Sequence, residues 1–219
     1  MKIKWFGQSC FLITAENGTK VLMDPFKNML GYRLPEMEAD IVTTSHDHAD
    51  HNNINAVKGR FTHIQKSGDF LENSISIKGV ATFHDKVSGA RRGKNTVYNF
   101  AIDGINVCHT GDLGHILDSK QNTEIGKVDI LLLPVGGGPT TIGASDAVCV
   151  VKQLNPAVVI PMHYRTKALG LLGFLFEKVE GFIALSGFHV TQCKELEIDA
   201  ADIKKNSGEC PEIVVLQYD

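Results

Sequence analysis

The chain has 219 residues, 43% of them hydrophobic, and a formal net charge of −3 at pH 7. This length and composition predict a single domain over residues 1–219 with a sizeable core, and the slight acidity argues against a nucleic-acid partner. No apolar run approaches the roughly 20 residues of a membrane span, so we expect no membrane partner either.

The N-terminal segment and the cysteines indicate the compartment. Residues 1–7 alternate like a strand and lack the apolar core and cleavage site of a signal peptide. Five cysteines are scattered along the chain without a Cys-x-x-Cys pair, which suggests neither a disulfide framework nor a zinc knuckle. We therefore expect a cytoplasmic protein with reduced thiols.

Short apolar segments, punctuated by turn residues, predict strands in chain order. Residues 2–6, 10–14 and 20–23 form an antiparallel meander, with Asn17-Gly18 as one turn. Later strands are expected at residues 41–44, 75–80, 96–101, 105–109, 130–134, 158–161, 183–185 and 213–216. An amphipathic helix is predicted over residues 145–154, ending at Asn155-Pro156. Hairpins followed by strands that alternate with helices predict an α/β fold of two mixed sheets packed face to face, with helices outside.

The most informative string is His46-Asp47-His48-Ala49-Asp50-His51, which follows the apolar segment 39–45. Four of its side chains are metal-ligand types, namely His46, His48, Asp50 and His51. Imidazole and carboxylate suit a borderline divalent cation such as zinc, and a cation removes the cost of packing them at a strand end. The alternative is a polar surface loop, but the strand before the string and the helix-like stretch after it favour a metal site.

Three distant residues, His84, Asp112 and His163, also follow predicted strands. Ligands at strand ends are held by rigid elements, and several such ends converge at one edge of a sheet. The expected sets are His46, His48 and His84 for one cation and Asp50, His51 and His163 for another, with Asp112 between them. Two cations about 3.5–4 Å apart can share a hydroxide for hydrolytic displacement.

The order of these motifs resembles the metallo-β-lactamase superfamily, whose pattern is an early Asp, His-x-His-x-Asp-His, a lone His, a lone Asp and a last His. The match begins at Asp24 and ends at His163. The resemblance implies a four-layer αβ/βα sandwich with a dinuclear site at its edge, holding two divalent metal ions, with Zn²⁺ expected first and Mn²⁺ or iron as alternatives.

Further motifs look like the branch of small stand-alone hydrolases that includes ascorbate phosphate lactonase. They are Gly111-Asp112 after a His-Thr pair, Leu133-Pro134-Val135-Gly136-Gly137 before Thr141-Ile142-Gly143, and Ile160-Pro161-Met162-His163-Tyr164. One departure is Gly7-Gln8-Ser9, since that branch often has Gly-His near the N-terminus.

The predicted chemistry is attack by a metal-bridging hydroxide on a small, anionic ester, lactone or phosphodiester. The resemblance suggests that Asp50 orients that hydroxide or takes its proton. His109 is a candidate proton donor to the leaving group, with a buried structural histidine as the alternative. Asp24, before Pro25, is either an acceptor that fixes the tautomer of a ligand histidine or a turn cap.

Basic residues near the expected site are candidate substrate contacts. Arg91, Arg92 and Lys94 lie in the loop 88–95 after His84, and Arg165 follows His163-Tyr164. The planar guanidinium suits phosphate or carboxylate, although a solvated turn explains the same charges.

Two other function classes stay open. A non-catalytic, metal-containing module that binds a ligand would keep the same residues. The resemblance also includes di-iron redox proteins, but these usually carry a carboxylate where this chain has His48, and they need a flavin-bearing domain that 219 residues do not accommodate. The expected partner is a small-molecule substrate, and the oligomeric state is left open.

Overall fold

Two large β-sheets dominate the computed structural model, which describes residues 1–28, 31–206 and 210–218. In these residues the strands are β1 (Lys2–Trp5), β2 (Phe11–Thr14), β3 (Lys20–Met23), β4 (Met37–Glu38), β5 (Ile41–Thr43), β6 (Val57–Lys58), β7 (Thr62–Ile64), β8 (Gly68–Glu72), β9 (Ile75–Phe83), β10 (Lys94–Ile102), β11 (Ile105–His109), β12 (Ile130–Pro134), β13 (Val158–Met162), β14 (Val190–Cys193), β15 (Glu195–Glu197) and β16 (Glu212–Leu216). The helices are α1 (Ser119–Ile125), α2 (Ala144–Leu154), α3 (Val179–Ser186) and α4 (Ala200–Asn206), with 3-10 turns at Ile54–Ala56 and Lys167–Leu175.

The first sheet has the strand order β15-β1-β2-β3-β5-β7, and the second has the order β14-β16-β13-β12-β11-β10-β9-β8. Strands β1, β2 and β3 are antiparallel neighbours, as the sequence predicts, and Gly18 adopts a φ of 88° in the turn between β2 and β3. Strands β11, β12, β13 and β16 are parallel. The predicted α/β class with two mixed sheets is confirmed.

The core lies between the two sheets, and the side-chain alternation of the first sheet explains why. Phe11 and Ile13 of β2 point into the main core, whereas Leu12 packs on the opposite face with Leu22 and Phe26. Every residue of β12 is buried, because a central parallel strand is covered on both faces. The outer face of the first sheet is covered by Phe26, Tyr32, Leu34 and Ala39 and by the two 3-10 turns, while α1 and α2 pack on the second sheet.

The predicted strand at residues 183–185 is wrong, because these residues belong to α3. Phe182 is buried, and Val179 and Ile183 pack against the same core at helical spacing. Gly187 ends the helix with a left-handed φ of 68°. A short apolar run fits a buried strand and a helix equally well, and here packing against α2 decides for the helix.

The predicted helix at residues 145–154 is confirmed as α2, which is one residue longer at its N-terminus. Asn155 caps it in the left-handed conformation with φ 46°, directly before Pro156. Within residues 1–28, 31–206 and 210–218, no helix combines the length and hydropathy that crossing a bilayer demands.

The strand directions bring the C-terminal ends of five strands to one edge of the sandwich. Strands β3 and β5 are parallel, and β9 runs in the same direction as β11 because each is antiparallel to β10. Strand β13 is parallel to β12 and therefore to β11. The residues that follow β3, β5, β9, β11 and β13 thus meet at the same edge, where they form the site described next.

Candidate metal centre

The predicted ligands from the string and from the three distant segments come together at this edge. Their donor atoms form three overlapping groups with all distances within 4.8 Å, namely His46, His48 and His84; His46, His51 and Asp112; and Asp50, His51 and His163. All seven predicted ligands are therefore in one cluster. The first and third groups match the two sets expected from the sequence.

Asp112 lies between these groups. Its Oδ2 atom is 3.4 Å from Nε2 of His51, 3.3 Å from Nε2 of His84 and 3.4 Å from Nε2 of His163. Nε2 of His51 is also 3.6 Å from Oδ2 of Asp50. A carboxylate oxygen equidistant from three imidazole nitrogens is in the position that a bridging ligand would take.

The cluster fits a metal on a second ground, because some of its buried nitrogens have no hydrogen-bond partner. Nε2 of His46 and Nε2 of His51 are such atoms within the described part of the chain. A buried polar atom without a partner is costly, and a cation at these nitrogens would remove the cost. The donor set of imidazole and carboxylate, without thiolate, suits zinc, manganese or iron.

Asp24 organises two of the histidines. It follows β3 with a left-handed φ of 47° and is fully buried. Its Oδ2 atom accepts a hydrogen bond from Nδ1 of His51 at 2.8 Å and another from Oγ of Ser45 at 2.6 Å. Because the Ser45 hydroxyl donates to Asp24, it accepts from Nδ1 of His46 at 2.9 Å. One carboxylate thus fixes both rings in the tautomer that leaves Nε2 free for a metal.

Other buried polar groups hold Asp112. Oγ of Ser9 donates to its Oδ1 atom at 3.2 Å, and its backbone N–H donates to Oδ1 of Asn95 at 3.0 Å. Asn95 in turn donates from Nδ2 to the carbonyl of Thr110 at 2.9 Å. The carboxylate therefore has little freedom to rotate.

The backbone at His163 is also constrained. His163 has a left-handed φ of 51°, which is uncommon for a non-glycine residue, and its N–H donates to the carbonyl of Gln8 at 3.2 Å. A Cβ atom at Gly136 would lie 2.0 Å from the carbonyl oxygen of His163, so only glycine permits this approach. The close packing of Gly136 thus supports the backbone of His163 at the edge of the site.

Burial and charge set the protonation of the metal-free cluster. Burial lowers the pKa of His46 to about 3, with a further contribution from nearby His51. Burial would lower the pKa of His51 as well, but the charges of Asp112 and Asp24 raise it well above the usual value. Burial would raise the pKa of Asp112, but His163 and His51 hold it well below its usual range. A bound cation would itself place positive charge beside the buried carboxylates of Asp112 and Asp24.

The basic loop 88–95, which carries Arg91, Arg92 and Lys94, reaches the same site from the side of His84. Arg92 lines a cleft of about 680 Å³ together with His46, His48 and Lys94, and it also lines a smaller cleft of about 240 Å³ with His84 and Arg91. The structure thus brings Arg92 beside the ligands, whereas Arg91 and Lys94 are exposed at the cleft walls.

Asp85, which the sequence did not single out, organises this loop. Its Oδ1 atom accepts from the N–H groups of Val87 and Gly89, and its Oδ2 atom accepts from those of Arg91 and Arg92, all at 2.8–2.9 Å. Desolvation alone would raise the pKa of Asp85, but the four N–H donors lower it. The only signal in the sequence is an acidic residue directly after His84 and before a glycine-flanked turn.

Two other predicted site residues lie outside the ligand cluster. His109 is fully buried in β11, and its Nε2 atom bonds the carbonyl of Ser9 at 2.8 Å while its ring packs edge-on against Phe11. This environment matches the alternative of a structural histidine. Arg165 lies on the other side of His163, with its guanidinium 3.8 Å from the ring centre of Phe174.

Sequence reasoning missed Ser45 and Asn95 as well as Asp85. Ser45 immediately precedes the ligand string, but nothing in its spacing shows that it bridges Asp24 and His46. Asn95 lies at the start of β10, far in sequence from Asp112. Such contacts depend on the packing of the two sheets and have no local pattern.

Comparison with known proteins identifies the family of the chain. The family model of the beta-lactamase superfamily domain matches residues 2–163. A UPF0173 metal-dependent hydrolase of Methanosarcina barkeri is 31% identical over 196 residues, covering 76% of this chain and 84% of the relative.

Solved structures show the same relationship. A protein of Thermotoga maritima, assigned to the Zn-dependent hydrolases of the metallo-beta-lactamase superfamily, is 39% identical to this chain. The match covers 100% of this chain and 99% of the Thermotoga chain, with a TM-score of 0.78. A di-iron beta-hydroxylase of Streptomyces venezuelae is 14% identical with a TM-score of 0.64, covering 99% of this chain and 52% of its own, and it shares the fold alone. The chain therefore belongs to the beta-lactamase superfamily and is a metal-dependent hydrolase of the kind represented by its UPF0173 relatives.

Proposed function

We propose that the chain hydrolyses a small, anionic ester, lactone or phosphodiester with the help of two divalent cations. The single observation that carries this proposal is the position of Asp112, whose Oδ2 atom lies 3.3–3.4 Å from three histidine nitrogens and so joins two complete ligand sets. When bound, divalent cations supply an electrophile for the scissile carbonyl or phosphoryl group and lower the pKa of water to about 7.

The chain's own residues position the reactants. Asp24 keeps the Nδ1 proton on His51 and, through Ser45, on His46. Asp50 is about a quarter exposed, in contrast to the buried Asp112, and is the carboxylate that can accept a proton from attacking water. His109 is left out of this scheme because it is buried and bonded to Ser9.

The anionic preference rests on Arg92. Arg92 lines one cleft with His46 and His48 and another with His84, which supports a role for its guanidinium at the site. A guanidinium at the cleft wall would bind a phosphate or carboxylate of the substrate, with Arg91 and Lys94 adding attraction from the exposed rim. Arg165, on the side of His163, is a weaker candidate contact.

Zinc is the expected metal, with manganese or iron as alternatives that the donor set also accommodates. The partner is a small molecule, with neither nucleic acid nor a membrane involved. The cysteines Cys10, Cys108, Cys149, Cys193 and Cys210 are free thiols. They support the proposed cytoplasmic location, where thiols stay reduced.

The testing experiment combines metal content with turnover. Protein purified without added metal is analysed for metals and assayed with a chromogenic phosphodiester and a panel of lactones. We expect two metal ions per chain and turnover that a chelator abolishes. Metal-loaded protein that turns over no substrate, yet is stabilised by a ligand, would instead support a non-catalytic binding module.

A matched pair of variants isolates the carboxylate. Asp50→Asn removes one charge at the cluster and should abolish turnover while the protein stays folded. Asp69→Asn removes one charge on the exposed strand β8 and should retain turnover. Full activity of Asp50→Asn would contradict the proposed role.

A further inference from the structure

Large apolar side chains are exposed beside the metal centre. Within residues 1–28, 31–206 and 210–218, eight large hydrophobic residues are exposed, and four of them lie in one short segment. We define the apolar ridge as Leu171, Leu172, Phe174 and Leu175, which are 85%, 50%, 69% and 58% exposed. Exposed apolar groups concentrated in one place indicate a binding surface rather than chance.

The ridge is held in place at several points. Leu169 is buried in the cluster of Phe26 and Tyr32 on the outer face of the first sheet. After the ridge, the N–H of Glu177 donates to the carbonyl of Gly136 at 2.7 Å. The guanidinium of Arg165 also stacks on Phe174. The backbone of the ridge is thus anchored at both ends, which reduces the loss of backbone freedom when a ligand binds there.

The backbone at the C-terminal end of the ridge leads directly to the ligand cluster. The ring of Phe176, directly after the ridge, packs edge-on against the ring of His163 with centroids 5.3 Å apart. Gly138 approaches so closely that a Cβ atom there would be 2.4 Å from the carbonyl oxygen of Leu175, and Gly138 also lines the small cleft with His84 and Arg92. A molecule at the metals would therefore have Arg92 on the side of His84 and the end of the ridge, at Leu175 and Phe176, on the side of His163.

We infer that the substrate is amphiphilic, with an anionic group that faces Arg92 and an alkyl, acyl or aromatic part that lies on the apolar ridge. This inference rests on the proposed hydrolase function and narrows its substrate class. Burial of one methylene group favours binding by up to about fourfold, so a chain of several carbons would dominate selectivity. The occupant of the ridge is thus the apolar part of the substrate itself.

The test uses ethyl, butyl and octyl p-nitrophenyl phosphate with the metal-loaded protein. In each reaction water adds to phosphorus, the P–O bond to the aryl group breaks, and p-nitrophenolate leaves with the electron pair while protons pass to solvent. We expect kcat/KM to rise by about two- to fourfold per methylene until the ridge is covered. Binding of methyl-, butyl- and octylphosphonate, measured by calorimetry, should follow the same order.

Two variants identify the surface responsible. Replacing Leu171, Leu172 and Leu175 together by serine should remove the dependence on chain length in both assays. Leu71→Ser, on the edge strand β8, replaces an equally exposed leucine and should keep that dependence. All four leucines are exposed, so folding is not at risk.

The outcomes separate the two proposals. Turnover that is independent of chain length, or chain-length dependence that survives in the triple variant, would overturn the amphiphilic substrate and leave the hydrolase. No turnover of any diester, together with octylphosphonate binding that the triple variant loses, would support recognition of an apolar chain and count against the phosphodiester reaction. Suppose instead that the affinity for the phosphonates does not depend on chain length, while the protein self-associates or binds vesicles and the triple variant does not. This result would assign the ridge to a protein or lipid contact and overturn the inference.

Discussion

Removing the hydroxyl of Ser45 should weaken metal binding without removing any ligand. Ser45→Ala deletes the group that donates to Asp24 at 2.6 Å and accepts from Nδ1 of His46 at 2.9 Å. The ring of His46 would then be free to carry its proton on Nε2, the nitrogen that the metal needs. Metal binding would have to reverse that choice of tautomer.

Two independent considerations give the expected loss of metal affinity in Ser45→Ala. A buried donor left without a partner costs about 1–3 kcal/mol. Water has little room to replace the hydroxyl, since a Cβ atom at Gly111 would be only 2.7 Å from Oγ of Ser45. Loss of a group that orients a metal ligand typically lowers affinity about 10- to 100-fold, which is about 1.4–2.7 kcal/mol. We expect an affinity loss in that range.

The assay is competition for Zn²⁺ between metal-free protein and a chromophoric chelator at constant pH, with urea unfolding as a check on the fold. Thr43→Val is the matched control. It removes a buried hydroxyl two residues earlier that has no hydrogen-bond partner among the residues that the structure describes. Wild-type affinity in Ser45→Ala, or an equal loss in Thr43→Val, would refute the reasoning.

Three other changes test separate parts of the structure. Asp85→Asn should raise KM for an anionic diester about five- to tenfold with little change in kcat, because the loop 88–95 that carries Arg92 loses charge-assisted hydrogen bonds to Asp85. A fall in kcat of about five- to tenfold would contradict this expectation. Asp129→Asn should lower the free energy of unfolding in urea by about 1–2 kcal/mol at pH 7. Desolvation would raise the pKa of Asp129, but its hydrogen bonds with Lys127 and Asn106 lower it. This stabilisation should therefore be complete above the unfolded pKa of about 3.9 and disappear as pH falls through the lower, folded pKa. A difference in stability that stays constant as the pH is lowered below about 3.9 would argue against the cause. Gly136→Ala should displace His163 and lower the metal content to about one ion per chain, whereas Gly181→Ala, where nothing lies within 4 Å, should retain two.

Much of the fold could be predicted because the apolar segments are short and bounded by turn residues. The predicted strands at residues 105–109 and 130–134 match β11 and β12, and helix α2 differs by one residue. Strands β7, β8, β14 and β15 were not predicted. All four lie at the edges of the two large sheets and carry polar residues that are at least partly exposed, so that their pairing depends on a neighbouring strand rather than on their own composition.

The candidate ligands could be predicted because they follow strands, and the direction of a strand determines where its end lies. Among the supporting residues, Asp24 was a candidate from the sequence, but Ser45, Asn95 and Asp85 were not. Ser45 and Asp85 act through contacts of one hydroxyl and one carboxylate whose partners are fixed by loop geometry and by the approach of the two sheets. For His109 the sequence left a proton donor and a structural histidine open, and its buried position in β11 favours the structural role.

The seven candidate ligands do not belong to one sheet. The string from His46 to His51 follows β5 of the first sheet, whereas His84, Asp112 and His163 follow strands of the second. The candidate donor set is complete only when the two sheets have packed together in the correct register. Metal binding would therefore require correct packing of the two sheets. A chain with misaligned halves would stay unloaded, and bound metal would in turn favour the closed state over the open one.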